Sequence, residues 1–120
     1  MGSDELIVLL LLLLVGALYA VCGALMYKAP PGKINHFFGY RTRKAMKDQA
    51  SWDFAQKYSG RMMVYWGIIT MALGLSVWMV FPDDLMIASM VMIAQTALII
   101  PAIIATERKL KMMQNIEKRY

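Results

Sequence analysis

The chain has 120 residues, 59% of them hydrophobic and only 18% charged, with a net charge of +5. An ordinary soluble domain is nearer half apolar and a quarter charged, so this composition is that of a membrane protein. The longest polar stretch, residues 27–61, is too short for a large extramembrane enzyme domain, and a single cysteine, Cys22, excludes a disulfide framework or a cysteine-based metal cluster.

Three charge-free stretches, residues 6–26, 62–81 and 85–106, make up over half the chain. At about 1.5 Å per residue each forms a helix of roughly 30 Å, the hydrocarbon thickness of a bilayer. The expected fold is an all-α membrane protein with three transmembrane helices in one domain, residues 1–120. The first stretch is too long for the apolar part of a secretion signal and is preceded by Asp4 and Glu5 in place of bases, so it is read as a retained span. Met1-Gly2 lacks the Ser or Thr at position 6 that a myristoylation signal needs.

The positive net charge is less informative than its distribution. All 13 bases fall between the first and second spans or after the third; with Asp48, Asp53, Glu107 and Glu117 they leave +9 on that face, while Asp4, Glu5, Asp83 and Asp84 leave −4 on the other. The positive-inside rule therefore predicts an N-terminus outside and a C-terminus in the cytoplasm. The basic surplus is accounted for by topology and attraction to anionic lipid, so nucleic acid is not an expected partner.

Span one carries small residues Gly16, Ala20 and Ala24 at a spacing of four, a face for close helix packing, either within the chain or as the seam of a homo-oligomer. Cys22 reads as a small apolar filler. The run Ala29-Pro30-Pro31-Gly32 ends the helix, because proline lacks a backbone donor and pushes its predecessor out of the α region. The inner-face loop, residues 28–61, then holds a segment of aromatics interleaved with polar groups around Gly39, suited to a bilayer interface. Beyond an N-cap at Asp48 or Ser51, Trp52, Ala55, Tyr58 and Met62 predict an amphipathic interfacial helix with an Asp53–Lys57 ion pair, bending at Ser59-Gly60 into span two. Tyr65, Trp66 and Trp78 suit aromatic belts. Pro82-Asp83-Asp84 makes spans two and three a hairpin. In span three, Gln95 either ties helices together or contacts a ligand, and Pro101 predicts a kink. The basic tail, residues 107–120, with Leu110, Met113 and Ile116, predicts a helix lying along the inner surface.

No span contains an internal ionisable residue, which disfavours a proton-coupled transporter. His36 has no second ligand to share a metal, no phosphate loop precedes a helix, and no nucleophile and base are suggestively spaced. Neither an enzyme nor a bound cofactor is expected.

The loop segment Pro31-Gly32-Lys33-Ile34-Asn35-His36-Phe37-Phe38-Gly39-Tyr40-Arg41-Thr42, followed by Met46-Lys47 and Trp52-Asp53-Phe54-Ala55, resembles the SdpI (YfhL-type) family of bacterial membrane proteins. The resemblance rests on Asn35, Gly39, Tyr40, Arg41, Thr42 and Trp52, is strong over residues 28–81, and extends to span three by topology. It implies an integral membrane immunity protein acting against a secreted peptide toxin of the sporulation-delaying type, some members also holding a transcriptional repressor at the membrane. The chain resembles the C-terminal half of the longer members.

Two roles for the motif stand open. It is structural if Arg41 pairs with Asp48 or Asp53 and Trp52 is wedged at the interface. It is a contact site if the same donors form a pocket for a lipid headgroup, a toxin peptide or a cytoplasmic partner, where Arg41 can hold a carboxylate or phosphate with two bonds. The alternatives to immunity are a scaffold that recruits a cytoplasmic regulator to the +9 face, and a small transporter subunit assembled through Gly16 and Ala20 with Gln95 in its pore.

Overall fold

The structure, a computed structural model, describes residues 1–119. It is all helical: α1 (Ser3–Lys28), α2 (Gln49–Val80), α3 (Leu85–Thr96), a 3-10 turn (Ala97–Ile99) and α4 (Ile100–Arg119). Each helix boundary has a local cause. Asp4 and Glu5 lie in the first turn of α1, where the helix dipole favours negative charge, and the Pro30-Pro31 pair stops it at Lys28. The Asp48 carboxylate accepts from the Ser51 N–H at 2.7 Å and caps α2; Asp84 does the same for α3 through Ile87 N–H at 3.0 Å. Pro101 has no N–H to offer the Ala97 carbonyl, and the Ile100 N–H takes that acceptor instead, which tightens the preceding turn to 3-10 geometry. The expected disturbance at Pro101 thus takes the form of one over-wound turn.

Three helices are long and apolar enough to cross a membrane: Ser3–Lys28, Gln49–Val80, and Leu85–Arg119 taken as one rod. They align in a bundle 60 Å long and 23 by 19 Å across. Their outward faces are apolar, with Leu10, Met79 and Ile93 each more than half exposed, as lipid-facing residues are.

The bundle is joined by glycines spaced seven apart. Gly16 and Gly23 of α1 meet Gly67 and Gly60 of the antiparallel α2, and Gly74 meets the Leu12 backbone. A Cβ on Gly23 would lie 2.5 Å from the Gly60 carbonyl oxygen, and one on Gly67 would lie 2.6 Å from the Ala20 nitrogen, so the two backbones touch where side chains would hold them apart. The Gly16 and Ala20 face is thereby used within the chain. Ala24, by contrast, borders an open groove, and Cys22 is exposed toward lipid instead of filling a packed site.

Two further expectations are corrected. The amphipathic segment before span two is the beginning of α2 itself, and the helix passes through Ser59-Gly60 without a break. Both residues are buried because α1 needs small neighbours there: a Cβ on Gly60 would lie 2.9 Å from the Tyr27 nitrogen. Nor does the basic tail lie on a surface. It continues as α4 along the bundle, with Leu110 fully buried against Ala45 and Ala55 while Ile116 is exposed; Tyr120 is outside the described residues.

Candidate functional site

The loop between α1 and α2 folds back over the basic end of the bundle and is fastened at several points. The Asn35 carboxamide oxygen accepts from the Phe37 and Phe38 N–H groups at 2.9 and 2.8 Å, and its NH2 donates to the Lys33 carbonyl at 3.0 Å, so Asn35 shapes the turn from within. Trp52, fully buried, donates its indole N–H to the Pro31 carbonyl at 2.8 Å. Gln49 donates to Gly32 O at 2.6 Å and to Asp53 at 2.8 Å.

At the centre of the loop, Gln56 clamps Tyr40. Its Oε1 accepts from the Tyr40 N–H and its Nε2 donates to the Tyr40 carbonyl, both at 2.8 Å, so one buried side chain satisfies both backbone groups as a neighbouring strand would. Gly39 makes the clamp possible. Its φ is +108°, a region L side chains rarely adopt, and a Cβ there would stand 2.5 Å from Gln56 Oε1.

The loop also binds the end of α4. The Tyr40 hydroxyl donates to Glu107 Oε1 at 2.7 Å, Lys44 lies 3.8 Å from Glu107 Oε2, and Gln114 donates to the Lys44 carbonyl and Ser51 hydroxyl at 2.9 and 3.0 Å. Burial, then the bond to Glu107 and its negative charge, push the Tyr40 phenol above its ordinary range, each favouring the protonated form that donates to Glu107.

Arg41 stands apart from this scaffolding. It is exposed, and the single bond formed by its guanidinium goes to the His36 carbonyl. The two expected carboxylate partners are engaged elsewhere, Asp48 as the α2 cap and Asp53 with Gln49, so neither the Arg41 pairing nor the Asp53–Lys57 pair forms; among the described residues the one ion pair is Lys44–Glu107. The guanidinium retains four of its five donors for other use.

Arg41 borders a cleft of about 390 Å³ between the loop, α1, α2 and α4. Gly39, Tyr40, Arg41, Thr42 and Ser59 form its polar rim; Met26, Met63, Ile99, Ala102 and Ile103 form an apolar floor. That volume is at the small end of ordinary ligand sites, and polar groups grouped at one side of an apolar cavity are their usual composition. The six motif residues therefore divide into Gly39, Tyr40, Arg41 and Thr42 on the cleft, and Asn35 and Trp52 behind it.

Gln95 is elsewhere. Buried between all three helices, its NH2 donates to the Leu12 and Thr70 carbonyls at 3.2 and 3.1 Å, while its Oε1 has no partner among the described residues. It ties helices together, one of the two roles expected of it. The residues missed from sequence are Gln49, Gln56 and Gln114. Gln56 falls one turn after Trp52 and one before Ser59, on the face where Ala55 is also buried, and that shared face was the available signal.

The SdpI/YfhL protein family matches residues 32–106, well over half the chain. The chain belongs to this family. Among curated relatives, the uncharacterised protein YfhL of Bacillus subtilis (strain 168) is 34% identical over 98 residues, which is 82% of this chain and 84% of the relative. No solved structure matches the chain. The SdpI/YfhL match begins as the chain leaves Pro31 and runs through the loop, α2, α3 and the start of α4, so the third span lies inside it, as does every residue bordering the cleft except Met26.

Proposed function

We propose that this SdpI/YfhL protein is a multi-pass immunity protein of the bacterial plasma membrane, with its N-terminus outside and its basic end in the cytoplasm, protecting the cell from a secreted membrane-active peptide of the sporulation-delaying type. The cleft receives the peptide or the component it attacks. The observation that carries this reading is Arg41: the loop is held by Trp52, Gln56 and Tyr40, so the exposed guanidinium is spare to hold a carboxylate at the rim while apolar side chains occupy the floor.

The test is survival of a toxin-sensitive bacterium expressing the chain and challenged with that peptide, beside Arg41→Ala at matched accumulation. Protection by the wild type and its loss in the variant support the proposal. Equal protection by both removes Arg41 from the mechanism, and no protection by well-expressed wild type rejects immunity.

A scaffold role is favoured by one separate observation. Tyr40–Glu107 and Gln114–Lys44 join the motif loop to α4 in a basic platform with a single ion pair among the described residues, which suits an acidic cytoplasmic partner. Capture of such a regulator by the full-length chain, abolished by Arg43→Glu with Lys47→Glu, would support it. The transporter reading loses support, since the Gly16 and Ala20 face is occupied by α2.

A further inference from the structure

On the side of α2 away from the cleft, α1 and α2 enclose two adjoining grooves that share Tyr27 and Arg61. One, of about 320 Å³, extends along Ala24, Val64 and Tyr65 and includes Lys28. The other, of about 270 Å³, is bordered by Phe54, Lys57 and Tyr58. At 100° per residue, Lys57, Arg61 and Val64 share one face of α2, whereas the cleft residues Ser59 and Met63 are on the opposite face.

Three features make this a site. Lys28, Lys57 and Arg61 are exposed within about two helical turns of the Gly23–Gly60 contact, and none has a carboxylate partner among the described residues. The Arg61 guanidinium lies over the Tyr58 ring, 5.6 Å from its centroid, and Tyr58 is stacked on Phe54 at 5.4 Å, so the cation is held beside an aromatic pair. Below the charges the groove turns apolar, because Ala24 is too small to fill the space beside Val64. Cations at the water boundary, aromatic rings at headgroup depth and an apolar channel beneath are complementary to a molecule with an anionic head and a hydrocarbon chain.

We propose that the Lys28–Lys57–Arg61 groove is a binding site for one anionic phospholipid, its phosphate held by Lys57 and Arg61 and an acyl chain lying along Ala24 and Val64. The site is separate from the cleft and does not depend on the immunity reading.

Native mass spectrometry of the full chain in neutral detergent, titrated with phosphatidylglycerol and with phosphatidylcholine of the same acyl chains, tests this. One phosphatidylglycerol is expected to remain bound where phosphatidylcholine has left. Lys57→Gln with Arg61→Gln should weaken the phosphatidylglycerol complex about thirtyfold, the combined effect of two well-placed bases. Arg43→Gln with Lys47→Gln, the same charge change on the loop, should leave it within about twofold, and the charge-conserving Lys57→Arg should preserve it. Ala24→Leu fills the channel without touching charge and should also expel the lipid, which keeps the test decisive if the glutamine pair perturbs folding. Equal weakening by both glutamine pairs, equal binding of the two lipids, or displacement by millimolar glycerol 3-phosphate would overturn the proposal, the last by reducing the site to one for a free anion.

Discussion

Replacing Gln56 with leucine should release the motif loop while leaving the spans intact. The side chains are similar in volume, so the packing beside Trp52 and Ala55 changes little, but both backbone groups of Tyr40 lose their partner. Each neutral bond contributes about 1 kcal/mol net, and stranding a half-buried N–H and C=O raises the total to roughly 2–4 kcal/mol. That corresponds to an increase of about 30- to 1000-fold in the population of opened loop. Amide hydrogen exchange in detergent micelles reads this directly at the Tyr40 N–H, with circular dichroism confirming the helices. Arg41→Ala removes one exposed bond to a carbonyl, worth about 1 kcal/mol at most at the surface, and should accelerate the same amide by no more than about fivefold. If Gln56→Leu leaves Tyr40 exchange within that limit, Gln56 is not the clamp, and the case for a spare Arg41 weakens with it.

Gly67→Ala puts a Cβ 2.6 Å from the Ala20 nitrogen, against backbone that cannot swing aside, and should cost about 1–3 kcal/mol as overpacking does, seen as a lower thermal midpoint in detergent. Gln95→Leu should be nearly neutral, within about 1 kcal/mol, because the Leu12 and Thr70 carbonyls lie inside helices and the unpartnered Oε1 is removed too; a larger loss in the same melt would show that the interhelical bonds dominate. The Asp48 carboxyl is held below its ordinary range by its bonds with Ser51, so its contribution is complete above the usual aspartate pKa and is lost as pH falls through the lowered one; acid melts of Asp48→Asn should lack that decline. The raised Tyr40 phenol has the opposite sense, stabilising up to the ordinary tyrosine range near about pH 10 and losing its effect as pH rises beyond it, so Tyr40→Phe should flatten the alkaline limb of a stability profile.

The spans were legible because charge-free runs of this length have one stable solution in lipid, and the end of α1 and the start of α2 because Pro30-Pro31 and Asp48 each act within a turn of their own position. What did not show was set by neighbours distant in sequence. Ser59-Gly60 has the composition of a bend, and is small because Gly23 of another helix lies against it. Gln49, Gln56 and Gln114 look like the wet side of amphipathic helices, yet each bonds loop backbone that a one-dimensional pattern does not bring near them. Of the motif, Asn35, Gly39 and Trp52 could be read as local turn and anchor chemistry. The separation of Arg41 from its expected acids depended on which groups had already claimed Asp48 and Asp53.

The unbroken run of α2 has a mechanical consequence. With 32 residues it is about 48 Å long, against a hydrocarbon layer of about 30 Å, so roughly a third of it stands clear of the bilayer as a stiff lever carrying Trp52 and Gln56. A membrane protein meets a thinner bilayer by tilting, and a jointed helix would absorb that tilt at its hinge. This one transmits it: a rotation of about 10° displaces the far end of an 18 Å arm by about 3 Å, carrying the docked loop with it. Bilayer thickness and the position of the Arg41 loop are therefore mechanically coupled.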